Sequence, residues 1–370
     1  MNTAASPLGL YIHVPFCDAK CPYCDFYSMR ADSGRMDDYT RAVIASLHEW
    51  SGTLRRPADT LYFGGGTPSL LGASRLAQII RAARDSFGLS GAEITVEANP
   101  SREMDDLFSA LAAEGVNRLS IGLQSASDEE LRLLGRRHTA RQAADAVRSA
   151  QRAGISNISL DLMIATQNQT AESLRNSIHF CADLGVTHLS SYLLKIEDGT
   201  VYGRHRDDLR LPDDDTAADL YLLACEEMER AGYFQYEISN FAKPGFESRH
   251  NLKYWDAQEY LGIGPAAHSF VDGRRFFYPR SLRGFLSGDP PETEGSGGDP
   301  EEYAMLRLRL TEGLTEAGYR ARFGQSIPDA YRRRAERYRT PGLTICDTNG
   351  IRMTRKGFLV SNLLLGDILG

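Results

Sequence analysis

Short runs rich in β-branched and aromatic residues alternate along this chain with longer stretches whose apolar positions recur at helical spacing. The runs at residues 8–14, 60–63, 93–97, 118–123, 157–163 and 188–194 predict strands, and the stretches at 37–50, 74–87, 104–114, 140–153, 171–184 and 214–231 predict amphipathic helices. Strands alternating with helices of this length argue for βα units around a parallel sheet. Six units are too few to close an eight-stranded barrel, so the pattern predicts an α/β fold built on an incomplete, more open (βα)6 barrel. A helix–strand region follows from 233 to about 283 and holds the stretch HNLKYW. The next segment, GDPPETEGSGGDP at 288–300, is acidic and rich in Gly and Pro, and reads as a linker or mobile loop. Past it, EEYAMLRLRL and a final strand–turn–helix pattern predict a smaller C-terminal domain, helical and winged-helix-like. The expected division is a barrel over 8–235, a connecting region over 236–287 and the C-terminal domain over 301–370.

Composition narrows the classes. With 42% hydrophobic and 25% charged residues among 370, the chain can bury a substantial core. A net charge of −7 lacks the basic excess of a phosphate-backbone binder, so nucleic acid is not an expected partner. The opening MNTAASP has neither a basic nor an apolar leader region, and no run approaches the length of a membrane span. The expected location is the cytoplasm. Six cysteines in such a chain read as metal-binding or buried rather than disulfide-bonded.

Three of them fall in PFCDAKCPYCDFYS (15–28), where Cys17, Cys21 and Cys24 stand at C-x3-C-x2-C spacing just after the first predicted strand. The position two past Cys24 is Phe26. Cys181, Cys225 and Cys346 sit inside apolar helix or strand patterns and read as buried small hydrophobes. Structural zinc would want a fourth ligand, which a histidine would have to supply. A [4Fe–4S] cluster usually takes four cysteines as well. With three, one iron keeps an open position for a substrate or cofactor, and three cysteines within eight residues suit a compact loop around one cluster.

C-x3-C-x2-C directly after the first strand of a βα series resembles the radical S-adenosylmethionine (SAM) superfamily. The resemblance implies that Cys17, Cys21 and Cys24 hold a [4Fe–4S] cluster whose open iron is chelated by the amino and carboxylate groups of SAM. It also implies that electron transfer cleaves the sulfonium to a 5′-deoxyadenosyl radical. YFGGGTPS (62–69) is similar to the family's glycine-rich turn after the second strand. There Gly64, Gly65 and Gly66, followed by Thr67, let the backbone approach a ligand closely. Glu97 in VEANPSR, Gln124 in SIGLQS, Arg136 in LGRRH and Asp161 in LDLM keep the family's order, and strand-end residues point into the mouth of such a barrel. The resemblance implies that these four hold SAM together with the glycine turn. Tyr11 and Tyr23 read by themselves as aromatic packing, although in relatives residues at these positions line the SAM site.

LYIHVPFC, CPYCDF, FGGGTPS, GLQS, LGRRH and HNLKYW together are similar to the oxygen-independent coproporphyrinogen III oxidase group, from Leu8 to the C-terminus. The true oxidases carry a fourth cysteine two residues after the third and a longer N-terminal extension. Here Phe26 takes that position and seven residues precede Leu8. Both differences favour the second branch of the group, the HemW-type haem chaperones. That branch implies haem as a further cofactor and target haemoproteins as partners, respiratory enzymes among the candidates. It also implies no nucleic acid, membrane contact at most peripheral, and a monomer or homodimer. The alternative is an oxidase that decarboxylates two propionates of coproporphyrinogen III. A third reading is a cluster-bearing protein with no porphyrin role.

His250, Asn251, Tyr254 and Trp255 make up an HNxxYW stretch typical of the chaperone branch. An imidazole is a common axial ligand of haem iron, and the two aromatic neighbours offer flat apolar surface, so His250 is the haem-ligand candidate. The competing reading is a histidine hydrogen-bonded within a folded turn. His268 in GIGPAAHSF reads as structural, and His13 as facing inward from the first strand. One stretch departs from the family. After Asp161 relatives usually read G-x-P-G-Q-T, whereas IATQNQT (164–170) keeps only Gln169 and Thr170, so the turn at this barrel mouth is expected to differ.

Overall fold

A computed structural model describes residues 6–30, 32–100 and 104–370. Residues 1–5 of the opening stretch read above for a leader lie outside them. Six parallel strands form the centre: β1 (Leu8–Val14), β2 (Ala58–Gly65), β3 (Glu93–Ala98), β4 (Arg118–Gln124), β5 (Asn157–Ile164) and β6 (His188–Leu193), side by side in chain order. Alternation explains their two faces. On β1, Leu8, Leu10, Ile12 and Val14 are fully buried, while Tyr11 and His13 face the other way and hydrogen-bond each other at 3.1 Å. The helices between strands begin where the sequence offers caps. Asp32 caps Ser33–Leu54, Thr139 closes a capping box with Gln142 ahead of Ala140–Arg152, and Thr170 does the same with Ser173 ahead of Ala171–Asp183.

The sheet does not end with the sixth unit. Beyond β6 it continues through β7 (Phe234–Gln235) and β8 (Asn240–Ala242), with β8 antiparallel to β6 and β7 at the edge. On the other flank β9 (Tyr260–Ile263) runs parallel to β1, followed antiparallel by β10 (His268–Val271), β11 (Arg274–Phe277) and β12 (Glu292–Ser296). Two expectations change. The region after residue 233 supplies both flanks of one twelve-stranded sheet. The segment 288–300, read as a linker or mobile loop, contains β12, which pairs with β11. Exposed Gly and acidic residues suit an outermost strand as well as a loop, which is why composition misled.

HNLKYW lies on the helix Arg249–Trp255, which packs beneath the N-terminal ends of β1–β3. Glu93, at the start of β3, accepts from the backbone N–H of Arg249 (3.1 Å) and of His250 (3.0 Å), satisfying two donors at the helix start. Buried Lys253 donates from Nζ to Pro7 O at 3.1 Å. The C-terminal part holds a small sheet of β13 (Leu314–Thr315), β14 (Thr344–Asp347) and β15 (Gly350–Met353), ordered β13-β15-β14, with helices around it. Among the described residues, no helix is long and apolar enough to cross a membrane.

Candidate functional site

The cysteine loop leaves β1 at Pro15 and is closed by two backbone hydrogen bonds, Cys17 N–H to Met29 O (3.0 Å) and Met29 N–H to Pro15 O (2.8 Å). Within it Cys24 N–H bonds Cys21 O at 3.1 Å. The glycine turn after β2 is pinned to the root of this loop: Gly66 N–H donates to Val14 O (2.8 Å) and Thr67 N–H to Phe16 O (2.7 Å). A Cβ on Gly66 would stand 2.5 Å from Phe16 O, so no side chain fits there. LGRRH meets the loop from the other side. Gly135 has a φ of +68°, and a Cβ on it would lie 2.6 Å from Cδ of Pro22.

The three thiols are free of disulfides and line a cavity of about 350 Å³ at the C-terminal ends of the strands. Its walls include Tyr23, Gly65, Gly66, Thr67, Glu97, Gln124, Arg136 and Asp161. Cys17 Sγ lies 3.4 Å from Thr67 Oγ1, and Arg136 Nη1 donates to Cys21 Sγ at 3.6 Å. Burial raises the Cys24 thiol and the Tyr23 phenol above their ordinary ranges. The donor set fits an iron–sulfur cluster: three sulfurs, a cation beside them, and a facing turn stripped of side chains. Among the described residues no three His, Cys, Asp or Glu side chains meet closely enough for a single metal ion. A cluster does not require that, because each cysteine binds a different iron.

Deeper in the cavity stand two carboxylates. Glu97 accepts from Tyr62 OH (2.9 Å) and from Gly65 N–H (3.2 Å). Burial, with Asp161 adding repulsion, pushes its carboxyl up to about 7. Asp161 accepts from Ser120 Oγ at 3.1 Å, and burial pushes it up to about 6. Arg136 Nη2 donates to Asn99 Oδ1 (2.7 Å) and Gly122 O (2.9 Å). Gln124 has a φ of +72° at the end of β4, where the pairing with β5 slips register. An uncommon backbone conformation for a non-glycine residue often marks a site under functional constraint.

Sequence reasoning missed Asn99, whose Nδ2 donates to Thr67 Oγ1 at 2.9 Å, and the lining residues Ser120 and Met163. Each sits two or four residues from a predicted one on the same strand or its end. The period of two, applied to Glu97, Gln124 and Asp161, would have found them.

Gly64 of the glycine turn, Tyr11 and His250 do not line this cavity. Tyr11 sits below it, its OH turned to His13 Nδ1, and lines a separate cleft. His250 is 1% exposed. Its Nδ1 is 2.7 Å from Thr60 Oγ1 and its Nε2 is 2.7 Å from Tyr254 OH. Its ring stacks on Tyr62 with centroids 5.2 Å apart. Burial, helped by Lys253 and Arg118, drives its pKa down to about 3. Buried and with both nitrogens at hydroxyl partners, His250 fits the competing reading, a histidine hydrogen-bonded within a folded turn. His268 departs the other way: read as packed, its side chain is 53% exposed. Phe26, where the oxidases have a fourth cysteine, is 66% exposed and borders both the thiol cavity and the separate cleft.

A model of the radical SAM superfamily matches residues 11–181, and one of the HemN C-terminal domain matches residues 299–360. Curated relatives named heme chaperone HemW align over most of the chain. The protein of Lactococcus lactis is 34% identical, covering 98% of this chain and 98% of its own length. That of Mycobacterium tuberculosis is 36% identical over 98% and 95%, and that of Escherichia coli 38% over 88% and 91%. Among solved structures, the radical SAM enzyme coproporphyrinogen III oxidase (HemN) from Escherichia coli superposes with a TM-score of 0.85 at 22% identity. It covers 99% of this chain and 90% of that one. At that identity the likeness shows the fold.

Proposed function

The chain belongs to the HemW family of radical SAM proteins, and from that premise we propose that it is a haem chaperone that delivers haem to target haemoproteins. The observation that carries the site is one cavity joining Cys17, Cys21 and Cys24 to the glycine turn and the inward strand-end residues. Cys17, Cys21 and Cys24 would hold a [4Fe–4S] cluster. Gly65, Gly66, Thr67, Tyr23, Glu97, Gln124, Arg136 and Asp161 would hold SAM. A cluster with SAM bound supplies one-electron chemistry at this end of the barrel.

The chain's own residues divide the work by charge. Glu97 and Asp161 suit the cationic groups of SAM, and Arg136 suits its carboxylate. Tyr62 and Gly65 N–H fix the Glu97 carboxylate, and Asn99 fixes the Arg136 fork. Tyr11 would act through packing. Three free thiols on one loop suit a reducing compartment, so we place the chain in the cytoplasm, as a monomer or homodimer.

Phe26 separates this reading from the oxidase, which has a cysteine at that position. The test is anaerobic reconstitution followed by parallel assays: haem titration at the Soret band, transfer of bound haem to an apo-haemoprotein, and turnover of coproporphyrinogen III with SAM and reductant. The expected result is haem binding and transfer without turnover. Sustained formation of protoporphyrinogen IX would move the protein to the oxidase branch.

A further inference from the structure

With His250 buried, the haem iron of the proposed function has no ligand in HNLKYW, whose Tyr254 instead lines a second cavity. This cavity, about 500 Å³, opens on the β9–β11 flank beside the cysteine loop, within the size range of small-ligand sites. Its walls are largely flat rings: Phe26, Tyr27, Tyr254, Tyr260 and Phe277. At its rim are His268 and Arg280. His268 opens β10 and is paired across the ladder with Phe277, on whose ring it stacks with centroids 5.2 Å apart at 24°. Its Nδ1 lies 3.3 Å from Glu294 Oε2 on β12.

That pairing has a consequence for the other nitrogen. In the tautomer that carries its proton on Nδ1, that nitrogen donates to the Glu294 carboxylate and Nε2 keeps its lone pair, the outer-shell arrangement that metal-binding histidines use. The cleft's other histidine, His13, is 5% exposed, with Nδ1 facing Tyr11 OH and Nε2 facing Tyr27 O, both at 3.1 Å. Arg280, 59% exposed, donates from Nη2 to Asp25 O (3.0 Å) and Oδ2 (3.2 Å) in the loop just past Cys24. A macrocycle with an iron at its centre and carboxylates on one edge matches this set: rings for its faces, an imidazole for its metal, a guanidinium for its propionates.

We propose that haem binds in this cleft, with His268 Nε2 as an axial ligand of the iron and Arg280 facing a propionate. The assignment rests on the haem-chaperone reading and deepens it. It places the haem next to the cluster loop, with Phe26 bordering both cavities.

The test titrates the full-length protein with haemin at the Soret band, as wild type, His268→Ala and Arg280→Ala, and in parallel with metal-free protoporphyrin IX. His268→Ala is expected to move the Soret maximum and weaken haemin binding at least about tenfold, since loss of even an outer-shell partner costs that much in metal affinity. Added imidazole should restore the maximum. Protoporphyrin IX, which offers no iron, should bind His268→Ala as it binds wild type. Arg280→Ala should weaken both ligands without moving the Soret maximum. An unchanged maximum and affinity for His268→Ala would overturn the axial assignment while leaving the chaperone reading in place. Equal loss of haemin and protoporphyrin IX would also overturn it, assigning His268 to the wall. No Soret change in wild type would overturn both.

Discussion

The two ends of the partial barrel carry the two most recognisable motifs of the sequence, and they are built on opposite terms. At the C-terminal ends of the strands, thiols, carboxylates and an arginine face an open cavity, with Glu97 and Asp161 held in environments that disfavour their charge. At the N-terminal ends, HNLKYW is a plug. Glu93 takes up the helix N–H groups, Lys253 reaches a backbone carbonyl, and both nitrogens of His250 find hydroxyl partners. Polar groups left in tension mark chemistry, whereas polar groups all satisfied mark architecture. A histidine can therefore mark a family while being held by the fold rather than presented to a ligand. A chain of contacts joins the two ends: His250 stacks on Tyr62, whose OH donates to Glu97.

The contrast is sharpest in the cysteines. Cys17, Cys21 and Cys24 line the cavity, while Cys181 and Cys225 are buried and Cys346 lies on β14. Changing any of the first three to Ala should abolish the broad visible absorption of the reconstituted cluster. The same change at Cys181, Cys225 or Cys346 should leave it intact in the folded protein. A stable cluster in Cys21→Ala would break the comparison at its root.

At the plug the expected loss is of stability. His250→Ala removes a packed ring and strands the Thr60 and Tyr254 hydroxyls, at a cost of roughly 2–4 kcal/mol, read as a lower urea midpoint. In the protein that remains folded, the Soret maximum of bound haem should not move. A shift there would make His250, rather than Tyr254 alone, a participant of HNLKYW in the haem site.

The ends should also titrate in opposite directions. Glu97 goes from an ordinary 4.5 to about 7 in the fold, so the folded chain holds its proton more tightly than the unfolded chain. Its stability contribution is complete below about 4.5 and falls as pH rises towards 7. His250 goes from 6.5 to about 3; its contribution is complete above 6.5 and is lost as pH falls. Glu97→Gln in the cluster-free protein should therefore raise the melting temperature near pH 7 and leave it unchanged near pH 4. The gain should be about 1–2 kcal/mol after screening through the cavity mouth. A uniform shift at both pH values would mean that the substitution acts by packing instead.

Period was enough for the six βα units, and the family resemblance pointed to the cysteines and the strand-end residues that line one cavity, because each motif depends on neighbours within a few positions. What they missed depends on distant pairing. Nothing local in 260–263 says that it will lie beside β1, with Gly9 opposite Tyr260, and nothing in 292–296 says that it will pair with Phe276 and Phe277. The fate of His250 was hidden for the same reason, since its partner Thr60 is 190 residues away. His268 became visible as a candidate only when β9–β12 formed a wall around it.

The smallest effect is expected at the turn where this chain departs from its relatives. Aligned on G-x-P-G-Q-T, the two family glycines correspond to Ala165 and Asn168, and these residues have φ of +60° and +58°. The left-handed backbone survives although its glycines do not. Asn tolerates that region, but Ala there carries about 1–2 kcal/mol of strain. Gln169 supplies the compensation: its Oε1 accepts from Ala165 N–H (2.7 Å) and its Nε2 donates to Met163 O (2.9 Å), bracing the turn from inside. Ala165→Gly should relieve the strain while loosening the unfolded chain, which takes back part of the gain. A net stabilisation of about 0.5–1 kcal/mol is expected, or a degree or two in melting temperature, with cluster absorption unchanged. Loss of stability would show that the buried Ala165 methyl contributes more by packing than its backbone loses by strain. The turn would then belong with the satisfied end of the barrel, although Met163 just before it lines the open one.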